Sequence, residues 1–111
     1  MPVPGYLFDP GLRRFVAVNA SFCELVGYSE PELIALEWPR IMADAEETAR
    51  ANQEILDRQE DVFRINHFAF RNKDGSRVPS QVRYRVMRVV DGHCTTRQVY
   101  FAAVVSVNPP V

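Results

Sequence analysis

The side chains of this chain that are able to do chemistry are few and scattered. Of its two histidines, His67 falls inside a strand-like run and His93 follows the turn glycine Gly92. An imidazole acts as a catalytic base beside a nucleophile or an orienting carboxylate, or as a metal ligand at a set spacing, and neither histidine has such company. There is no nucleophile elbow, no phosphate-binding glycine loop and no metal-binding histidine pair. Cys23 sits beside the apolar face of a short helix and Cys94 lies just after Asp91-Gly92, with no metal-ligand spacing between them, so both read as free thiols. A pocket carboxylate base is missing too: Glu60 and Asp61 precede a strand and Asp91 sits in a turn, so none falls on an inward strand face. The pattern argues against an enzyme and against a metal centre. Binding is the chemistry left. Asn52, Asn66 and Ser80 are polar groups set into apolar stripes, and a buried amide or hydroxyl needs a hydrogen-bond partner from protein, water or a bound molecule.

Helices and strands must position these groups. Tyr6-Leu7-Phe8 is a short strand ended by Asp9-Pro10-Gly11. Phe15 to Val18 is a second β-rich run. Asn19 is a helix N-cap, Phe22, Leu25 and Val26 recur at helical spacing, and Gly27 stops the helix. Ser29 and Glu32 form a capping box for a second short helix with Pro31 in its first turn. Glu37 to Met42, with Trp38 and Pro39, reads as an irregular turn or one helical turn. Asp44 and Glu47 cap a longer helix from Ala45 to about Arg58 that carries Ala45, Ala49, Asn52 and Leu56 along one face, flanked by Thr48 and Ile55. Val62 to Arg71 and Arg77 to Val90 are strands joined by the Asn72-Lys73-Asp74-Gly75 turn, and Arg97 to Val107 is a last strand closed by Pro109-Pro110. Three strands that hairpin directly exclude a parallel doubly wound sheet, so the pattern predicts an α+β fold with an antiparallel sheet covered by helices on one face.

With 111 residues and 47% apolar content, the chain is one domain, core about 6–107, with a single packed interior. Thirteen basic and fourteen acidic residues leave a net charge of −1, which offers no footprint for nucleic acid. No apolar run approaches the roughly 20 residues that span a bilayer. The start, Met1-Pro2-Val3-Pro4-Gly5, has neither the charged nor the apolar region of a signal peptide, and a cytoplasmic location is the expectation.

Strand alternation groups Asn66, Phe68 and Phe70 on one face, and Ser80, Val82 and Tyr84 with Val78 and Val86 on one face of the next strand. Gln81, Arg83 and Arg85 take its other face, so the apolar set points inward. In the last strand Phe101, Ala103 and Val105 go together as the inward set. That leaves Tyr100, Ala102 and Val104 outside as an apolar stripe, a contact surface for a second copy or for a missing N-terminal helix. Two readings of the inward set stay open: a filled core, or a small cavity marked by Ala103 and Ser80 beside Asn52 and Asn66.

The segments "NASFCELVGYSEPEL" and "RNKDGS" resemble the PAS family of sensory domains, and the likeness runs over roughly Tyr6 to Val107. The resemblance implies a five-stranded antiparallel sheet in the order 2-1-5-4-3, and a sensor or signal-transduction role within a longer regulator. It also implies a ligand site under the helices, built from the inward strand residues with Trp38, Asn52 and Leu56. The rival reading is a ligand-free interaction module that forms a homodimer through the outer face of the sheet. Light-oxygen-voltage members attack a flavin with a cysteine, and its matching position is Trp38. The polar residues that hold the flavin ring in those members match Phe70, Ser80 and approximately Val105. Haem-binding members use a histidine of the central helix, and none lies between Asp44 and Gln59. Both cofactors are therefore disfavoured, and colourless protein is expected. Members of the family often pair a glutamate of the second helix with the lysine of the hairpin turn, which implies a Glu32–Lys73 salt bridge here.

Overall fold

The first helix starts and stops where its caps dictate. In the computed structural model of the chain, which describes residues 3–37, 40–58, 62–90, 92–93 and 96–107, helix α1 spans Ala20–Val26. Asn19 Oδ1 accepts the Phe22 N–H at 2.9 Å and the Gly5 N–H at 3.0 Å, while its side-chain nitrogen donates to Val3 O at 2.8 Å. One side chain thus caps α1 and holds strand β1 (Gly5–Asp9) against it. Gly27 ends the helix at φ 76°, and a Cβ there would meet Asn72 Oδ1 at 2.8 Å. Glycine is required twice over, by the left-handed backbone and by the close approach of the later hairpin. Helix α2 (Glu30–Ala35) opens on its capping box, with the Ser29 N–H on Glu32 Oε1 at 3.1 Å and the Glu32 N–H on Ser29 Oγ at 3.4 Å.

Helix α3 (Ala45–Arg58) departs from expectation in two ways. Asp44 does not spend its carboxylate on the cap. Both its oxygens engage the Arg77 guanidinium from the far side of the hairpin, and Thr48 Oγ1 donates back to Asp44 O at 2.8 Å. The buried stripe is also turned from the expected line: Thr48 and Ile55 are buried and Asn52 is half-buried between them, whereas Ala49 is exposed. Ile55 is the largest apolar side chain on that side of the helix whose placement is described, and its burial sets the rotation.

The remaining strands are β2 (Arg14–Val18), β3 (Arg64–Arg71), β4 (Arg77–Val90) and β5 (Thr96–Val107). They form one five-stranded sheet in the order β2-β1-β5-β4-β3, antiparallel at every pairing, with the helices on one face. The β3–β4 turn holds itself by Asn72 N–H to Ser76 O and Gly75 N–H to Asn72 O, both 2.8 Å. Its tip docks on the end of α1 through Lys73 N–H to Val26 O at 2.9 Å and the Asn72 amide to Leu25 O at 3.2 Å. Phe22, Val26, Leu33, Ile41, Phe70 and Val82 are fully enclosed between the layers.

One facing is the reverse of the expectation. In β5, Tyr100, Ala102 and Val104 are buried at 3–4% exposure, whereas Phe101 and Val105 are 46% and 48% exposed. Val82 pairs with Val104, Tyr84 with Ala102 and Val86 with Tyr100, so the buried faces of β4 and β5 coincide. Every residue from Val99 to Val105 is apolar, so hydrophobicity is indifferent between the two faces and the cross-strand register decides. Among the described residues no helix is long and apolar enough to cross a membrane.

Candidate functional site

The inner face of the sheet is an aromatic box. Tyr84 neighbours Tyr100 at 6.2 Å between ring centroids, Tyr100 neighbours Phe8 at 5.7 Å, and Phe8 neighbours Phe15 at 5.6 Å. Tyr6 then contacts Phe15 edge-on at 5.1 Å, and Phe70 meets Phe22 edge-on at 5.3 Å. Tilted and edge-to-face contacts at these spacings match ring edges to ring faces and rigidify the layer. Between these rings and α3 lies a cavity of about 20 Å³, bordered on the helix side by Thr48, Asn52 and Ile55 and at one end by Met42. That is room for about one water molecule.

Its polar groups are neutral. The Tyr100 hydroxyl donates to the Asn52 backbone carbonyl at 3.1 Å and so pins the sheet to the middle of α3. Burial pushes the Tyr100 phenol well above its ordinary value, with the neighbouring Tyr84 adding to the shift. Burial likewise raises Tyr6, with Tyr100 adding. Both phenols therefore remain protonated donors. Among the described residues, no Asp, Glu, Lys, Arg, His or Cys lines the cavity, so an ion entering it would find no countercharge from them. Cys23 lies elsewhere, on α1; burial first, and then the Glu30 carboxylate, hold its thiol above the usual range. Such a thiol is a poor nucleophile.

The structure brings together some of the residues singled out in the sequence. Asn52, Phe68, Phe70 and Tyr84 line the cavity. Asn66 lies outside it, in a groove between α3 and the start of β3. Ser80 and Val82 are buried beneath the helices without touching the cavity, and the Ser80 hydroxyl donates to Val78 O at 3.1 Å. Phe101 and Ala103 border a groove on the opposite face of the sheet, and Val105 is exposed there. These three are corrected from inner to outer residues, and Tyr100, Ala102 and Val104 from outer to inner, for the register reason above. Trp38 and the Leu56 side chain lie outside the described residues, as do Glu60, Asp61, Asp91 and Cys94. Sequence reasoning missed Tyr6, Phe8, Phe15, Thr48, Ile55 and Met42 as cavity walls. Alternation in β1 pointed to Tyr6 and Phe8, and the four-residue step from Asn52 pointed to Thr48; Met42, in an irregular segment, carried no signal.

Three positions correspond to the polar groups that hold a flavin ring in light-oxygen-voltage domains. The Phe70 ring fills one of the positions matched to a ring-holding polar group, Val105 faces the wrong side of the sheet, and the Ser80 hydroxyl is engaged with its own strand.

Among the described residues, two ion pairs tie the helical layer to the β3–β4 hairpin. Lys73 Nζ lies 2.7 Å from Glu32 Oε2, and Arg77 meets Asp44. The Lys73 ammonium first, and then the Ser29 N–H, lower the Glu32 carboxyl to about 2. The pair is solvent-exposed, so its part is to set the helix against the hairpin more than to stabilise the fold.

The fold and cavity can be set beside known proteins. No curated protein matches the chain. Solved structures do. The PAS domain of an HTR-like protein from Haloarcula marismortui superposes with a TM-score of 0.71 at 20% identity, over 92% of this chain and 78% of that one. A domain of the sensory box sensor histidine kinase/response regulator from Geobacter sulfurreducens gives 0.66 at 14%, over 92% and 82%. Cycle PAS-B of Drosophila melanogaster, solved with bound ethylene glycol, gives 0.69 at 15%, over 95% and 99%. At these identities the likeness is one of fold. The family model described as "PAS domain" matches residues 4–105, from the first strand through most of the last. Since that span takes in every helix and strand that builds the box, the chain belongs to the PAS domain family.

Proposed function

We propose that this PAS domain is a sensory module that takes a small uncharged molecule at the inner face of its sheet and passes the change to a regulator. The observation that carries the reading is the cavity between Asn52 and the aromatic box, neutral throughout yet edged by an amide, a threonine and tyrosines. A molecule with one or two hydrogen-bonding groups on a compact apolar body suits such walls. The cavity holds about one water, so a larger occupant must push α3 away from the sheet. Packed interiors change between discrete arrangements more readily than they stretch, so such an occupant biases two spacings of helix and sheet. Arg77–Asp44, at the start of α3, and Lys73–Glu32, on α2, would carry the shift to the hairpin. The Geobacter neighbour, a domain of a sensor histidine kinase/response regulator, agrees with a signalling role.

The alternative is a ligand-free interaction module, in which the cavity holds water and the domain acts through its surface. Native mass spectrometry of protein purified without refolding, followed by solvent extraction, separates the two. The sensory reading expects a bound species of small mass that Asn52→Leu removes. A mass equal to the bare chain in every preparation, with no shift in thermal midpoint across a panel of small neutral compounds, would leave the interaction module.

A further inference from the structure

A second recess lies apart from the inner cavity, between α2 and the base of the β3–β4 hairpin. It encloses about 520 Å³ and is bordered by Tyr28, Glu32, Ala35, Leu36, Arg40 and Arg71, none of which borders the cavity. Arg40 and Arg71 are distant in the chain and meet through an isolated bridge. Met42 pairs antiparallel with Phe70, the Arg71 N–H donates to Ile41 O, and the Ala43 N–H donates to Ala69 O at 2.8 Å. That register carries Arg40 to the same rim as Arg71. Charge at this rim is one-sided. Among the described residues Glu32 is the only acid bordering the groove, and both its oxygens are engaged: Oε1 accepts the Ser29 N–H and Oε2 accepts from Lys73 Nζ. Glu37, three residues before Arg40, makes no ion pair with it. Arg40 and Arg71 are exposed, and among the described residues neither has a carboxylate partner. Lys73 Nζ, 5.8 Å from the centre of the Tyr28 ring, adds a third cation at the edge. Tyr28 and Leu36 are half-buried and packed against the core, so the apolar floor is held in place.

We propose that this groove binds a small organic anion, a compact apolar body carrying one carboxylate or phosphate, whose charged end is taken by Arg40 and Arg71. The inference goes beyond the sensory reading and does not depend on it, since that site is neutral and lies under α3. A guanidinium is a planar fork of N–H donors that matches the oxygens of a carboxylate or phosphate and stays charged at any working pH. Two such forks, one from the hairpin and one from the segment after α2, hold different edges of one oxyanion with charge-assisted bonds. Tyr28 and Leu36 then cover the apolar body. The volume falls within the roughly 300–1,000 Å³ of small-molecule sites. A single exposed ion pair is weak, so binding here requires both arginines together with the apolar floor, and it is sensitive to salt.

The test titrates the whole chain, labelled with nitrogen-15, with phenyl phosphate, benzoate and uncharged benzyl alcohol, and follows the amide chemical shifts. Both anions should give saturable shifts at Tyr28, Leu36 and Arg71, about tenfold tighter than benzyl alcohol at low salt, with the gap shrinking as salt screens it. Preference for one anion over the other assigns which oxyanion the groove takes, and either preference upholds the proposal. Arg40→Gln and Arg71→Gln should each weaken the anions about five- to tenfold and leave benzyl alcohol unaffected. Arg88→Gln, exposed on β4, should change nothing, with circular dichroism confirming that each variant is folded. Equal binding of the three compounds, no saturable shift with either anion, or anion binding untouched by both groove variants overturns the inference. So does a glutamate-rich peptide that binds these residues where neither small anion does, since the occupant would then be a protein. Shifts confined to Asn52 and Tyr100 overturn it as well while supporting the sensory reading, so the two fail separately.

Discussion

Strand β5 supplies both faces of the sheet from a single apolar run, and the two faces behave as different materials. Tyr100, Ala102 and Val104 enter a layer of rings beneath the helices, where Tyr100 meets Phe8 and Tyr84 at a tilt. Phe101 and Val105, one residue along in each case, stand roughly half exposed beside arginine and small residues. Hydrophobicity does not distinguish the two sets; what lies above them does. The inner face has its complement within the chain, supplied by α1, α2 and α3. The outer face has none among the described residues, and Phe101 and Val105 are left half exposed on it. A substitution inside should therefore cost folding free energy, and one outside should cost little.

The largest expected effect comes from matched phenylalanines. Phe70→Ala removes a fully enclosed ring and should destabilise by about 3–5 kcal/mol, whereas Phe101→Ala should cost less than about 1 kcal/mol. Urea midpoints at constant slope measure both. Similar losses for the two would break the comparison, because the outer face would then be covered in solution. Next is Gly27→Ala. It forces an L-residue into φ 76° and drives its Cβ onto Asn72, with an expected loss of about 1–2 kcal/mol or more and amide-exchange changes at the hairpin tip. An unchanged midpoint would mean that the hairpin does not close the inner layer as described.

A subtler pair sharpens the account of the cavity. Tyr100→Phe removes the hydroxyl that pins Asn52 O and should cost about 0.5–1.5 kcal/mol. Asn52→Leu removes an amide that borders the cavity and should leave stability equal or higher, while abolishing binding of any small molecule held there. Strong destabilisation by Asn52→Leu would assign the amide to a protein network instead.

The smallest effect is electrostatic. Glu32 is lowered from an ordinary 4.5 to about 2, chiefly by Lys73. A depressed carboxyl stabilises the folded state fully above its unfolded value and loses that contribution as pH falls through the folded one. Glu32→Gln should therefore leave a shallower loss of stability between about pH 4.5 and 2 and little difference in slope near neutrality. Equal slopes in the acid range would show that the pair is not maintained in solution.

Much of this was legible in the residues because it is settled by contacts a few positions apart. Asn19, Gly27 and the Ser29–Glu32 box bracket two helices through bonds within one turn, and Asn72-Lys73-Asp74-Gly75 closes a hairpin on itself. Together with the family resemblance, these local signals determined the element order and the strand order of the sheet. Tertiary structure alone decided the rest. Asp44, a competent cap, was drawn off by an arginine far along the chain. The buried stripe of α3 turned to place Ile55 and Thr48 inward, and Met42 closed a cavity from a segment with no periodicity to betray it. Most telling is Val99–Val105, whose residues suit either side of a sheet equally well. A strand that is apolar at every position carries no preference of its own, so only its register against β4 and β1 could decide which half became core and which half surface.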